Sequence, residues 1–277
     1  MRQLFARIVC AFFLVASGTA GAAAIFLTGH DPDFHATLGG NAVGAQDINT
    51  TAIEFVTNPG WNPFAALGKF LFVESSISPP SGHTIGLNGI TASGYVEGTD
   101  FVHADASTLN AQLDLLGTAY DAIVVASDFG GLLTSAELDI LNARSTDIVS
   151  FLNAGGGIYA MAESRGGVNL TSGSTLFGFL PFVVASAQLD QSEVGNSVTP
   201  FGAGLGLTDS DVNGNASHNI FLSASTLNVV DVDSQGNILS IAGVVDVVPP
   251  GIPEPATLAL LGLGLASLAV TRRRKLN

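Results

Sequence analysis

Cysteine occurs once in the 277 residues, at Cys10. A chain this poor in thiols builds no disulfide framework. With Cys10 inside a segment read below as removed, it also has no thiolate nucleophile and no thiolate metal site. Bases are scarce too, nine Lys and Arg against 23 Asp and Glu. Six of the nine sit at the ends: Arg2, Arg7, Arg272, Arg273, Arg274 and Lys275. Between them only Lys69, Arg144 and Arg165 face 22 acidic residues. Such a surface repels phosphate backbones and anionic lipid, which excludes nucleic acid as a partner and favours cations, cationic groups or neutral sugars. Long apolar runs are missing as well. Mean hydropathy is +0.45, but two short terminal runs inflate it, so a multi-span transporter is excluded. The length suits one sizeable core better than two.

The beginning of the chain reads as an export signal. Arg2 and Arg7 supply a positive start, and Ile8 to Ala16 form an apolar stretch short for a membrane span. Ala20-Gly21-Ala22 or Ala22-Ala23-Ala24 offers small residues for cleavage, which places a signal peptide at residues 1–24. The other end places Pro253-Glu254-Pro255 before an apolar helix, Ala256 to Val270, and the cluster Arg272, Arg273, Arg274 after it. The apolar run is below the length a helix needs to cross hydrocarbon unaided, and the bases would hold its end on the cytoplasmic side. The three elements in this order resemble the PEP-CTERM sorting signal of Gram-negative bacteria. That resemblance implies recognition by an exosortase after passage through the export machinery, transient residence in the inner membrane, removal of residues 253–277, and delivery to the cell surface or the exopolysaccharide matrix. Residues 244–252 read as the linker before it.

The region 25–243 alternates strand-length apolar runs with helical spacing. Ala24 to Thr28, Phe70 to Val73, Ala122 to Ala126 and Ile158 to Ala162 are continuous apolar runs of the kind covered on both faces, and Tyr95 to Val102 is a more polar candidate strand. Leu109, Leu113 and Leu116 keep a helical interval. Thr134 and Glu137 make a capping box for a helix that runs to the stop at Gly155-Gly156-Gly157. The pattern predicts an α/β fold, a flavodoxin-like doubly wound and mostly parallel sheet. Phe182 to Ala187 reads as a later strand, and Leu227 to Ile241 as a C-terminal hairpin turning at residues 233–237.

Every apolar run ends in polar residues: His30 and Asp31 after the first, Glu74 after the second, Asp128 after the third, Glu163 and Arg165 after the fourth. Ligands of open α/β sheets bind beyond the carboxyl ends of the strands, so this face is the candidate binding site, with His35 in the first loop adding a second imidazole. Side-by-side strand ends should bring His30, Asp128 and Glu163 together, and a cationic neighbour such as Arg165 is expected for Glu163. His30, Asp31 and His35 are metal-ligand types, without the helical spacing that makes such a set specific. Ala162-Glu163-Ser164-Arg165-Gly166 approximates a nucleophile elbow. It makes Ser164 a candidate catalytic hydroxyl, with His218, the one histidine downstream of it, as base. Asp209, Asp211, Asn213 and Asn215 have the spacing of a calcium loop, but Ile220 stands where an EF-hand carries its bidentate glutamate.

Thr28-Gly29-His30-Asp31, Tyr120 to Val125 and Phe151 to Gly157 also resemble the class I glutamine-amidotransferase-like superfamily and its trehalose-utilisation ThuA-like branch. The amidotransferase cysteine is absent, which removes amide hydrolysis from what the resemblance implies. What remains is an exported protein that binds a ligand, such as carbohydrate, at the strand-end face. The alternative is a secreted serine hydrolase or sugar-active enzyme acting through Ser164.

Overall fold

The computed structural model describes residues 22–58, 67–75, 86–129, 132–164, 170, 173–189 and 194–246. The sorting-signal residues, the apolar helix before Arg272 and the site candidate Arg165 lie outside the described residues, as does most of the predicted signal peptide. No helix of the described residues is long and apolar enough to cross a membrane.

The strands are β1 (Ala22–Thr28), β2 (Phe70–Val73), β3 (Phe101–Ala104), β4 (Ala122–Val125), β5 (Gly157–Ala160), β6 (Ser186–Gln188), β7 (Ser197–Val198), β8 (Asn219–Phe221), β9 (Asn228–Val232) and β10 (Ile238–Asp246). The helices are α1 (Pro32–His35), α2 (Ala42–Thr57), α3 (Gly86–Ala92), α4 (Leu109–Leu113), α5 (Ser135–Ala143), α6 (Ser145–Asn153), α7 (Pro200–Gly204) and α8 (Asp209–Val212). They build one mixed sheet with the path β3-β2-β4-β5-β1-β10-β8-β6, and β9 pairs with β10 and β7. The first five strands are mutually parallel, and β10 joins β1 antiparallel. The parallel block repeats the flavodoxin order 2-1-3-4-5 only if the first strand of the chain is placed in the fifth position. The expected α/β sheet is therefore present as a mixed one, with the parallel block β3-β2-β4-β5-β1 extended by antiparallel strands from β10 onward.

Three local expectations change in detail. The sheet takes in Ala22, Ala23 and Ala24 at one end of the domain and Val244, Val245 and Asp246 at the other, because these residues pair with one another across β1 and β10. The stretch from Tyr95 is a turn up to Asp100, with Gly98 at φ +83°, and only Phe101 onward forms the strand. The helix after Thr134 is two helices meeting at Arg144, the first opened by the expected Thr134–Glu137 capping box.

The core is aromatic on the α2 side. Phe26 meets Phe55 and Tyr159 edge-on, at 6.3 and 5.6 Å between ring centres, and the Tyr159 hydroxyl donates to Asn49 at 3.0 Å. Burial of such rings away from water is the main stabilising contribution. It also holds the parallel strands in a register that continues past their ends. Ala126 N–H donates to the Val73 carbonyl, Met161 to Val125, Asp128 to Ala162 and Ala162 to His30, at 2.9–3.2 Å. The loops after β1, β2, β4 and β5 are thus laid side by side.

Candidate functional site

Where β1 ends, a second segment fastens onto it. His218 N–H donates to the Gly29 carbonyl at 2.7 Å and Asp31 N–H to Ala216 at 3.3 Å. A Cβ on Gly29 would lie 1.9 Å from the Asn219 carbonyl, so only glycine permits this approach. Pro32 then starts the single turn of α1, which puts His35 one turn beyond Asp31. The Asp31 carboxyl ends between two imidazoles, with Oδ1 3.4 Å from His35 Nε2 and Oδ2 3.2 Å from His218 Nε2. The Asp31 side chain is 1% exposed and neither of its oxygens accepts a hydrogen bond among the described residues, while the side chains of His35 and His218 are 11% and 6% exposed. The His218 ring stacks on Phe129 at 4.0 Å, and His35 meets Phe34 edge-on. Burial holds the Asp31 carboxyl well above the usual carboxylate range; the His35 charge opposes the shift and Asp33 adds to it.

Four more buried carboxyls follow the parallel strands β1, β2, β4 and β5, and of these Asp33 acts on Asp31. Asp33 accepts from Ser127 N–H at 2.9 Å and from the Ser127 hydroxyl at 2.7 Å, and burial still raises it. Glu74 accepts from Gly86 N–H and, at 3.0 Å, from Leu87 N–H. Burial first and Asp33 second push Glu74 up to about 8. Asp128 accepts from Ser164 N–H at 3.0 Å and from the Ser164 hydroxyl at 3.2 Å. Glu163 accepts from Phe177 N–H, and its other oxygen has no hydrogen-bond partner among the described residues. Burial holds Glu163 well above its ordinary value, with the Phe177 bond opposing and Asp128 adding. Arg165, the cation expected beside Glu163, lies outside the described residues; among those described, the charged neighbour of Glu163 is Asp128. Phe177 has φ +52°, a left-handed conformation uncommon for a bulky residue, at the contact with this acid.

The sequence-predicted residues separate into three groups. Asp31, His35 and His218 come together, and Ser164 meets Asp128. The His30 ring is given to other partners, with Nε2 2.8 Å from Asp231 Oδ2 and Nδ1 3.1 Å from the Asn215 carbonyl. The Ser164 hydroxyl is therefore directed at a carboxylate, while His218 faces Asp31 and Phe129. The calcium-loop residues serve the chain's own backbone. Asp209 accepts from Val198 N–H, Asp211 from Thr208, Asn213 bridges Asn196 and Asp209, and Asn215 donates to Asp211. Asp211 closes a capping box on α8, so the stretch is a helix start instead of an open loop. No group of three or more His, Cys, Asp or Glu among the described residues is placed to hold a metal ion.

Sequence reasoning missed Asp231, Ser217, Phe129 and the role of Ser127. Asp231 stood next to a readable hairpin turn, and Asp233 does form that turn, accepting from Gln235, Asn237 N–H and the Asn237 amide. No local signal separates the two aspartates; pairing of β9 with β10 turns one toward His30.

Residues 251–275 match the PEP-CTERM protein-sorting motif. No curated protein matches the chain. The motif marks an exported surface protein whose tail is recognised and processed by an exosortase.

Proposed function

We propose that this exported, exosortase-processed protein binds a neutral, hydroxyl-rich ligand through Asp31, His35 and His218, and that the ligand is carbohydrate of the cell surface or its exopolysaccharide matrix. One observation carries the reading: a buried carboxyl whose two oxygens accept no hydrogen bond among the described residues stands between two imidazoles whose side chains are 11% and 6% exposed. A buried polar group without a hydrogen bond is costly, and a ligand hydroxyl offers both a donor and an acceptor. Burial that opposes ionisation of the Asp31 carboxyl favours an uncharged partner, and the acidic surface keeps phosphate-bearing ligands away. The resemblance to the amidotransferase-like superfamily and its ThuA-like branch belongs to this proposal.

The hydrolase alternative draws on the Ser164 hydroxyl donated to Asp128. Ser164 has a carboxylate where a serine nucleophile uses an imidazole, so binding is the better-supported reading. Of the two cleavage sites for export, the one after Ala22 keeps Ala23 and Ala24, both buried, in β1, and we adopt it.

The test is calorimetric titration of the full chain with a panel of neutral oligosaccharides and with neutral polysaccharide, alongside Asp31→Asn and His218→Gln. Binding weakened at least tenfold by both substitutions is expected. A folded protein that binds none of the probes, or an Asp31→Asn variant that binds like the wild type, overturns the reading. Covalent labelling of Ser164 by a fluorophosphonate would move the conclusion to the hydrolase.

A further inference from the structure

We infer that His30 is not a ligand contact but a buried imidazolium that fastens residues 215–218 to the end of β1, and is the positioning residue that sets His218 against Asp31. The inference rests on the site proposed above, but its evidence does not involve a ligand. His30 is fully buried, and its two ring nitrogens face acceptors from different parts of the chain. Nε2 lies 2.8 Å from the Asp231 carboxylate on β9, and Nδ1 lies 3.1 Å from the Asn215 carbonyl. A carbonyl oxygen only accepts, so Nδ1 carries a proton. A carboxylate only accepts as well, so Nε2 carries the second. A neutral imidazole has one N–H and satisfies one of these partners; the imidazolium satisfies both. The Ser217 hydroxyl, 2.7 Å from Nδ1, accepts from it in this state; were the hydroxyl to donate to a bare Nδ1 instead, the Asn215 carbonyl at 3.1 Å would lose its ring proton.

The electrostatics agree in direction. Burial works against the charge, but Asp231, through its charge and its hydrogen bond, together with the Asn215 carbonyl and the more distant Asp31, outweighs it and holds His30 protonated above its ordinary value. The acids facing the ring are Asp231 from β9 and Asp31 from the loop that carries His30 itself.

The mechanical consequence follows from adjacency. Asn215 and Ser217, held by the His30 ring, flank Ala216 and precede His218. The backbone bonds Asp31 to Ala216 and His218 to Gly29 run through the same short segment. A charged ring at position 30 therefore fixes the segment whose next side chain reaches Asp31 at 3.2 Å. Because the folded value of His30 is raised, this fastening is fully present below the ordinary histidine value and is lost as pH rises through the folded one. Ligand affinity at Asp31 should fall over the same interval.

The test is nitrogen-detected NMR of the imidazoles in the full chain at about pH 6.5, the ordinary histidine value, where a raised group is mostly protonated. One ring, absent from the spectrum of His30→Gln, should show both nitrogens protonated. In Asp231→Asn that ring should become neutral, and the His218 ring proton should leave the upfield position that stacking on Phe129 produces. A bare nitrogen on wild-type His30 at this pH overturns the inference without any variant having to fold. So does a folded Asp231→Asn protein in which the His218 resonances stay in place. If these results hold and no oligosaccharide binds, the fastening stands and the binding reading falls.

Discussion

Glu74→Gln should remove the pH dependence that this one carboxyl gives the protein's stability. Glu74 ends β2 in contact with the backbone amides of Gly86 and Leu87, and burial beside Asp33 pushes its carboxyl up from 4.5 to about 8. The folded value lies above the unfolded one, so between them the folded protein holds a proton that the unfolded chain has released. Stability therefore falls as pH rises from 4.5 towards 8 and levels off above it. At 1.36 kcal/mol per unit the gap corresponds to about 5 kcal/mol, an upper figure. Glutamine carries no proton to lose, but its amide nitrogen must face one of the two backbone N–H donors, which costs about 1–3 kcal/mol at every pH. The variant should be the less stable protein at about pH 5 and the more stable one at about pH 9, by roughly 2 kcal/mol or more. Urea unfolding of both proteins across that range measures the difference directly. Parallel curves would refute the reasoning, showing Glu74 ionised throughout and clasped by the two amides as a carboxylate.

Two further predictions test packing and sorting. A Cβ on Gly89 would lie 1.7 Å from the Asp33 carbonyl, so Gly89→Ala should drive α3 from α1 and cost about 3 kcal/mol in urea unfolding; a variant of unchanged stability would show that the two helices do not pack this closely. Replacing Glu254, or Arg272, Arg273 and Arg274 together, should leave an unprocessed species retained in the membrane fraction, because the match to the sorting motif at residues 251–275 includes all of them. Equal release of mutant and wild-type protein into the medium would contradict that.

The residues alone determined whatever depends on neighbours in the chain. Continuous apolar runs placed β2 and β4, the Thr134–Glu137 pair placed the start of α5, and the turn around Asp233 to Asn237 placed the β9–β10 hairpin, because propensity, capping and turn geometry act within a few residues. The triplet Pro253-Glu254-Pro255 and the arginines after the apolar run were legible for a similar reason: a sorting signal is read as a linear segment. Tertiary structure decided the partners. β1 pairs with β10, so Ala22 meets Asp246, and the first strand joins the end of the parallel block instead of its middle. His30 finds Asp231 across 201 positions and Ser217 across 187, which leaves His218 for Asp31 and Ser164 for Asp128. Spacing in the sequence carries no information about such pairs: the antiparallel half of the sheet supplies the partners of His30 and Asp31, and the adjacent parallel strands β4 and β5 bring Ser164 to Asp128. The protonation of Asp31, Glu74 and Glu163 was equally out of reach, because burial sets it, and burial belongs to the assembled core.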